Sequence, residues 1–450
     1  MTGAAPAAFG AEGPVTRPQL RECPGCGLFQ VVPALAPGLR CTCTRCGTIL
    51  RITKVDPLSR HLALSFASAV LFAIVWLGML MKVSTAGIER ITYLDSGPLE
   101  LVNRGLWPVA VAVAFTTAYA PLGKLLSTFY VLYGLKMERP PPRLRDVFLF
   151  SRRLNSWCML EVLLVGVFVA FTKLGDLVTI ELGPAVYALG ILTCVWLWAE
   201  VALDPQVVWE EIERTGQTHA PMPEPIMTWR DGASGCEGCG LVCVPAETGE
   251  ECPRCGTAVH ARKPGSVSRT WALVLAAIVL YIPANVYPVL TVIQLGAGQP
   301  STILGGVEEL IDSQMYPLAA LVFFASILVP LFKLLGLAGM LATVQLGRHN
   351  PDNRKAMHVR TSLYHVVTWI GRWSMVDIFM ESLLGALVQF GRAVTIEPGV
   401  GALAFCAVVF ITIFAAESFD PRLMWDRAGF NPHRRAQTLP GGGRPAPAPA

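Results

Sequence analysis

The sequence predicts an all-α polytopic membrane protein made of two tandem four-helix transmembrane repeats, each preceded by a small cysteine-rich module. Three observations carry this prediction: long uncharged stretches, an internal duplication and four cysteine pairs. Only 15% of the 450 residues are charged and 53% are apolar, whereas soluble domains carry about 25% charged residues. The uncharged stretches are 62–81, 105–123, 182–199, 270–307, 313–332 and 398–416.

Each of these stretches is long enough to cross a bilayer as a helix, since about 20 apolar residues span the hydrocarbon core. Their number excludes a soluble enzyme and a disordered chain. The formal net charge of +4 is too small for the electrostatic surface that binding to nucleic acid needs. We therefore expect no nucleic-acid partner.

The two halves of the chain repeat each other. An offset of 209 residues relates Cys43 to Cys252 and Lys124 to Lys333, and further on an offset of 216 relates Glu161 to Asp377 and Thr179 to Thr395. Identities in a fixed order across two halves indicate duplication. The eight predicted spans are 62–82, 107–133, 155–172, 183–201, 271–290, 316–342, 371–390 and 399–417. Acidic residues interrupt the third and seventh spans, so only the repeat identifies them.

The same pattern divides the chain into domains. We predict a disordered N-terminus (1–20), a first cysteine module (21–55) and a first four-helix repeat (56–205). A linker (206–230), a second cysteine module (231–264) and a second four-helix repeat (265–428) follow. A disordered tail rich in proline and glycine (429–450) ends the chain.

Positive charge orients the protein. With an even number of spans, both termini and both modules lie on one side, and the segments on that side hold 28 Lys and Arg residues against 4 in the opposite loops. Because loops with an excess of Lys and Arg face the cytoplasm, the termini and both modules are predicted to be cytoplasmic. Residues 1–21 lack the apolar region of a signal peptide, so we expect no cleavage there.

Eight of the 13 cysteines form four C-x-x-C pairs. Cytoplasmic thiols stay reduced, which favours metal ligands over disulfides. A glycine after each pair permits the turn that aims two sulfurs at one ion, and four sulfurs suit Zn²⁺ in a closed structural site. The sequence thus predicts two zinc-ribbon-like modules; a rubredoxin-like iron site and a redox-active dithiol are the alternatives. The predicted ligands are Cys23, Cys26, Cys43, Cys46, Cys236, Cys239, Cys252 and Cys255.

Ionisable side chains inside membrane spans are costly and mark functional positions. Lys333 on the sixth span and Asp377 on the seventh lie at equal predicted depth, so we expect them to pair, and Lys124 and Glu161 repeat this arrangement. The alternative is a structural ion pair that fixes the register of the helices. The full predicted network for transport is Ser326, Lys333, Ser374, Asp377, Thr412, Lys124, Glu161, Lys173 and Asp176.

Two further features concern the outer half of the spans. Lys173 and Asp176 share one helix face near the outer end of the third span, where they form a predicted gate or extend to the interface. Pro283 and Pro288 remove two amide donors from the fifth span, and Asn285 lies between them. A broken helix is tolerated where protein or water buries it. These residues therefore predict a helix break that lines a cavity, or else a packing kink.

The sequence resembles the paraquat-inducible protein A (PqiA/LetA) family of bacterial inner-membrane proteins over about residues 20–428. The first half departs from the motifs: it lacks the proline–alanine–asparagine sequence and has NSWCMLE at 155–161. The resemblance therefore leaves open whether the two halves do the same work. Besides the paired cysteine modules, the resemblance rests on IPAN at 282–285, PLFK at 330–333, GRWSMVD at 371–377 and FDPRLMWD at 419–426.

The resemblance implies a role in lipid transport between the inner and outer membranes. Such a protein is expected to be a multi-pass component of the inner membrane that exchanges phospholipid or another membrane lipid with a periplasmic MCE-domain protein, and not to be an enzyme. No Walker motif is present, so energy is expected from an ion gradient or a partner. The alternatives are a proton- or ion-coupled exporter of small molecules and a metal–thiolate redox protein of the membrane.

Overall fold

The computed structural model describes residues 19–85, 88–174, 179–224, 226, 232–245, 250–294, 297–346, 354–387 and 394–430. Helices account for most of this part of the chain. In the first half they are α1 (Pro57–Leu77), α2 (Ser96–Asn103), α3 (Trp107–Gly134), α4 (Leu144–Leu154), α5 (Leu160–Leu174), α6 (Pro184–Ala202) and α7 (Pro205–Arg214). In the second half they are α8 (Ser266–Val286), α9 (Ile303–Asp312), α10 (Tyr316–Leu346), α11 (Arg354–Ile370), α12 (Val376–Leu387), α13 (Val400–Ser418) and α14 (Arg422–Trp425).

Seven helical segments of the described chain are long and apolar enough to cross a membrane. Six are α1, α3, α6, α8, α10 and α13, and the seventh joins α4 to α5 over Leu144–Thr172. The protein is thus a multi-pass membrane protein. The segment from α11 to α12 corresponds in the second half to Leu144–Thr172. It contains several charged residues and is not one of the seven apolar segments. The eighth span therefore stays a prediction.

Both α3 and α10 contain a short π-helical segment, Phe115–Tyr119 and Phe324–Leu328. The two segments are 209 residues apart, so the duplication extends to this irregularity. An extra residue in one helical turn shifts the side chains that follow it around the helix, and such segments occur often at functional sites. In each half the segment comes just before the membrane lysine.

Two three-stranded antiparallel sheets lie on the side opposite the cysteine modules, where the sequence predicted loops. In the first, β5 (Met81–Thr85) pairs with β6 (Ile88–Thr92) and with β7 (Thr179–Leu182). The second sheet repeats this pattern with strands 290–294, 297–301 and 394–398. The predicted first and fifth spans are consequently too long at this end, because α1 ends at Leu77 and α8 ends at Val286.

The cysteine modules are built from short hairpins. The first contains β1 (Gln19–Glu22) with β2 (Phe29–Val32) and β3 (Arg40–Thr42) with β4 (Ile49–Ile52). In the second, β8 (Ser234–Gly235) pairs with β9 (Val242–Cys243). The strand β1 starts two residues before the predicted module, and α7 forms the first part of the predicted linker. Residues 1–18 and 431–450 lie outside the described residues.

Each module packs its cysteines against the transmembrane repeat of the other half. The first module shares a hydrophobic core with second-half side chains such as Leu337 and Trp425. The second module shares one with first-half side chains such as Phe148 and Trp209. At the centre of the membrane domain, α5 packs directly on α12 within the largest core. The two halves are therefore joined both in the membrane and through the exchanged modules.

Candidate functional site

The four cysteines of each module converge on one point. In the first module the Sγ atoms of Cys23 and Cys46 are 3.4 Å apart and those of Cys26 and Cys43 are 3.5 Å apart. In the second module the corresponding distances are 3.4 Å for Cys236 and Cys255 and 3.6 Å for Cys239 and Cys252. A tetrahedral Zn–S bond of about 2.3 Å places the sulfurs about 3.8 Å apart. The donor sets therefore fit a tetrahedral metal ion.

The glycine that follows each C-x-x-C pair permits the turn predicted there. Gly27, Gly47, Gly240 and Gly256 all have φ angles between 69° and 74°, a conformation that side chains with a Cβ rarely adopt. Each glycine lets the chain turn back directly after its pair. Four protein ligands would fill the coordination sphere of a tetrahedral ion, which is the arrangement of a structural site and would leave no position for a substrate.

In the second half, Lys333 is almost completely buried, with 1% of its surface exposed. Its Nζ donates to the Thr412 hydroxyl at 2.8 Å and to the Gly371 carbonyl at 3.4 Å. Within the described part of the chain, no carboxylate lies within ion-pair distance of this Nζ. The predicted ion pair between Lys333 and Asp377 is therefore not formed. Thr412, another member of the predicted network, accepts a hydrogen bond from Lys333 instead.

Asp377 faces a different space from Lys333. It lines a cleft of about 40 Å³ together with Ser326 and Glu381, which has room for about three water molecules. This cleft lies near the start of the strand at Leu290, on the side of the three-stranded sheets. Lys333 instead lines a cavity of about 260 Å³ on the side of the modules. The predicted polar cluster is thus divided between two cavities on opposite sides of the α12 start.

The two serines of the predicted cluster are both buried. Ser326 lies in the π-helical segment of α10, is fully buried, and donates to the Val322 carbonyl at 2.6 Å. Ser374 is also buried, in the short helical turn before α12. Asp176 and the side chain of Lys173 lie outside the described residues, so the predicted gate stays untested.

The fifth span does not break at its prolines. The helix α8 continues through Pro283 to Val286, and Pro288 follows its end, shortly before the strand that begins at Leu290. The side chain of Asn285 donates to the Tyr281 carbonyl at 2.8 Å, one turn back. The prolines therefore mark a helix end, and the adjoining residues Val289 and Leu290 line the cleft.

In the first half, Lys124 has a partner that the sequence did not reveal. Its Nζ donates to carboxylate Oε1 of Glu200 and to the Asn155 side chain, and it lies 5.0 Å from the centre of the Trp196 ring. The partner is therefore Glu200 on α6 and not the predicted Glu161. At the 216-residue offset, Glu200 and Trp196 correspond to Ala416 and Thr412. Lysine is thus ion-paired in one half and held by neutral groups in the other.

The pair in the first half is expected to be structural. Replacing Lys124 by Met leaves Glu200, whose side chain is 29% exposed, without its cation, and we expect a loss of about 2 kcal/mol in stability. Adding Glu200→Leu should restore stability, because apolar residues often replace a buried pair. The measurement is the thermal unfolding midpoint in detergent, with activity followed alongside. Loss of activity in the stable double variant would contradict this assignment.

Two Asp-Pro motifs, at 204–205 and 420–421, anchor the modules. Asp204 and Asp420 are both buried, and each caps the start of the next helix. Asp204 lies 3.5 Å from Arg51 of the first module, whereas Asp420 accepts hydrogen bonds from Arg422 at 2.8 and 2.9 Å. Arg422 in turn contacts Glu22 and Glu237, one in each module.

The two aspartates differ in their electrostatics. Burial alone raises the pKa of Asp420, but the hydrogen bonds and charge of Arg422 outweigh it and hold that pKa below its usual value. Burial raises the pKa of Asp204, because the charge of Arg51 compensates it only in part. Asp420 therefore holds Arg422 in place, and Arg422 makes the ionic contacts with Glu22 and Glu237 of the two modules.

Comparison with known proteins agrees with these features. The family model described as paraquat-inducible protein A matches residues 58–213 and 267–429. The intermembrane transport protein PqiA of Escherichia coli K12 is 32% identical over 428 residues, covering 92% of this chain and 97% of that protein.

Two further relatives extend this similarity. The lipophilic envelope-spanning tunnel protein A of Escherichia coli K12 is 32% identical over 423 residues, or 93% of each chain. A probable intermembrane transport protein of Haemophilus influenzae is 26% identical over 419 residues, or 90% of each. No solved structure was found to match. On the strength of the family match and of this identity over almost its whole length, the chain belongs to the paraquat-inducible protein A family.

Proposed function

We propose that this protein is the inner-membrane component of an MCE-type lipid transport system, and that it moves lipid between the inner membrane and a periplasmic MCE tunnel. The names of its relatives, intermembrane transport protein and lipophilic envelope-spanning tunnel protein, support transport across the envelope. The observation that carries the proposal is the cleft of the second half, bounded on one side by Val169 of α5, in which apolar walls surround Asp377 and Glu381. At about 40 Å³ the cleft is too small for a whole lipid, so in this proposal it receives only the polar end of an amphipathic molecule, whose apolar chain lies outside it.

The proposed topology has eight spans, and the seventh, at 371–390, contains α12 and the short helical turn before it. Both termini and both modules are placed in the cytoplasm, and the two three-stranded sheets in the periplasm. The excess of Lys and Arg on the module side supports this orientation. The metal in each module is proposed to be zinc, because reduced cytoplasmic cysteines in a closed set of four favour it.

A lipid-loading assay tests the transport proposal. Val322 lines the cleft and is partly buried, so Val322→Trp is expected to fill it and to lower the phospholipid that co-purifies, as measured by mass spectrometry. Leu335→Trp is the matched control, because Leu335 is exposed on the same helix. Equal lipid in both variants and the unaltered protein would contradict the assignment of the cleft. Transport of a small solute without any MCE partner would instead favour an exporter.

The MCE partner is proposed to bind on the sheet side. Ile91 on β6 and Tyr93 just after it are 46% and 41% exposed. We expect Ile91→Glu with Tyr93→Glu to abolish co-purification of an MCE-domain protein, since charges replace an apolar contact surface. Val31→Glu in the first module is the control, because Val31 is 45% exposed on the opposite side. Undiminished capture by the double variant would refute docking at this sheet.

A further inference from the structure

The cavity that contains Lys333 lies between the two halves of the chain, on the side of the modules. Its volume is about 260 Å³, against about 40 Å³ for the cleft at Asp377. The turn between α4 and α5 of the first half contributes Asn155 and Ser156 to its wall, and α11 and α13 of the second half contribute most of the remainder. The proposed function assigns no role to this space.

Lys333 brings a positive charge to this cavity that no carboxylate of the described residues neutralises. An ammonium group has three N–H donors, and the contacts to Thr412 at 2.8 Å and to the Gly371 carbonyl at 3.4 Å use two of them. Both acceptors are neutral. A buried charge without a counter-ion is costly, so an anion from outside the chain would stabilise Lys333 through the third N–H.

The first half contains the same lysine with a counter-ion from its own chain. Lys124 is paired with Glu200, and the cavity beside this pair measures only about 20 Å³. At the offset of 216 residues, Glu200 corresponds to Ala416, which lines the larger cavity. The second half thus combines a lysine that has no carboxylate partner with additional space at the position of that carboxylate.

The charges beside α13 follow the order of the groups in a zwitterionic phospholipid. Glu417 also lines the cavity and is exposed. It comes five residues after Thr412, which is about 7.5 Å further along the helix toward the modules. Phe410, stacked on Trp157 at 5.8 Å, comes before Thr412 and lies deeper. From the modules inward the order is therefore carboxylate, ammonium of Lys333 and aromatic rings, which matches the amine, the phosphate and the acyl chains of a phospholipid in that leaflet.

We propose that this cavity binds the headgroup of a zwitterionic phospholipid such as phosphatidylethanolamine, with its phosphate on Lys333 and its amine at Glu417. Asn155 and Ser156 bring an amide and a hydroxyl to the same wall, and both groups donate to phosphate oxygens. Trp369, which is 59% exposed at the cavity, is of the residue type enriched at the level of lipid headgroups. The inference rests on the proposed function only for the use that is made of the bound lipid.

Photochemical cross-linking from the cavity wall tests this site. With p-benzoylphenylalanine in place of Trp369, full-length protein in maltoside micelles is expected to label phosphatidylethanolamine that carries radioactive phosphorus, supplied below saturation. Lys333→Met should lower this labelling at least about tenfold, because a hydrogen bond from a charged donor to the phosphate is lost. The same probe in place of Trp198 is the matched control. Trp198 is exposed on α6, so labelling from there reports lipid on the outer surface and should not respond to Lys333→Met.

A second variant keeps Lys333 and changes its surroundings. Ala416→Glu places a carboxylate where Glu200 stands in the first half, so it should neutralise Lys333 within the chain and lower the labelling as Lys333→Met does. Lys124→Met with Glu200→Leu is the control in the first half and should leave the labelling unchanged. Labelling from position 369 that persists in Lys333→Met would overturn the proposal, even if Ala416→Glu folds poorly.

Competing ligands identify what the cavity holds. Phosphatidylglycerol has the phosphate without the amine, so it should compete less well than phosphatidylethanolamine, and Glu417→Gln should remove this difference. Displacement of the lipid by millimolar inorganic phosphate would assign the site to free phosphate and overturn the proposal, as would equal competition by diacylglycerol, which has no phosphate. Because labelling needs no transport, a protein that binds lipid here without transporting it would contradict the transport proposal alone. Transport without labelling that depends on Lys333 would contradict this site alone.

Discussion

Replacing Cys236 and Cys239 by serine is expected to lower the bound zinc from two ions to one per chain and to loosen the first transmembrane repeat. The metal-binding energy of a small cysteine module is largely its folding energy, so this module should unfold. Its cysteines share a core with Leu144 and Phe148 of α4 and with Trp209 of α7. Loss of the module exposes these side chains, although they belong to the preceding repeat.

Metal analysis and limited proteolysis together measure this effect. We expect new cleavage in the connection between α3 and α4, at 135–143, and a lower folded yield. The matched variant, Cys23→Ser with Cys26→Ser, should also lose one zinc ion, but should expose the module-side ends of α10 and α11 in the second repeat. Cleavage confined to the repeat that follows each altered module would contradict the crosswise packing. Two zinc ions in either variant would refute that metal site.

Replacing Lys333 by Met is expected to abolish activity while leaving the protein as stable or more stable. A buried ammonium group without a carboxylate partner is costly to bury, and Met has a similar length without the charge, so we expect a gain of about 1 kcal/mol in unfolding free energy. The Thr412 hydroxyl keeps its own bond to the Val409 carbonyl at 2.9 Å. Retained stability with lost function would assign the charge of Lys333 to transport.

Growth of a sensitised bacterial strain under detergent stress measures this activity, with the protein level in the membrane followed in parallel. Lys124→Met is the matched control, since the same change at the ion-paired lysine should lower stability. Asp377→Asn is expected to lose activity as well. The double variant Lys333→Met with Asp377→Leu removes both charges. If this double variant is well expressed and active, neither group has the transport role that we assign to it.

Much of the fold follows from the sequence because its signals are local. Apolar stretches set the positions of the helices, and the starts of α3, α6 and α10 were predicted to within one residue. The C-x-x-C-G spacing predicted the turns at Gly27 and Gly240 and the convergence of four thiols. The duplication added the segment that contains α12, which composition alone does not identify.

The partners of the membrane charges did not follow in the same way. The depth of Lys333 and Asp377 could be counted along their helices, but a direct contact also requires the two helices to face each other in rotation. The π-helical segment Phe324–Leu328 changes that rotation by an extra residue just before Lys333. Glu200, the partner of Lys124, lies 76 residues further along the chain, and its counterpart in the second half is Ala416, so the repeat pattern does not indicate this pair.

By itself the sequence determined the membrane class, the duplication, the helix positions and the two metal-binding modules, since each depends on residues that are close together in the chain. Only the tertiary structure decided that each module packs on the opposite repeat, that outer loops form three-stranded sheets, and that Lys124 contacts Glu200 while Lys333 contacts Thr412. The physical reason is that these features depend on how distant surfaces fit together. The two halves carry similar local patterns and still pack differently, because each half packs against the other and the surfaces that meet differ in sequence.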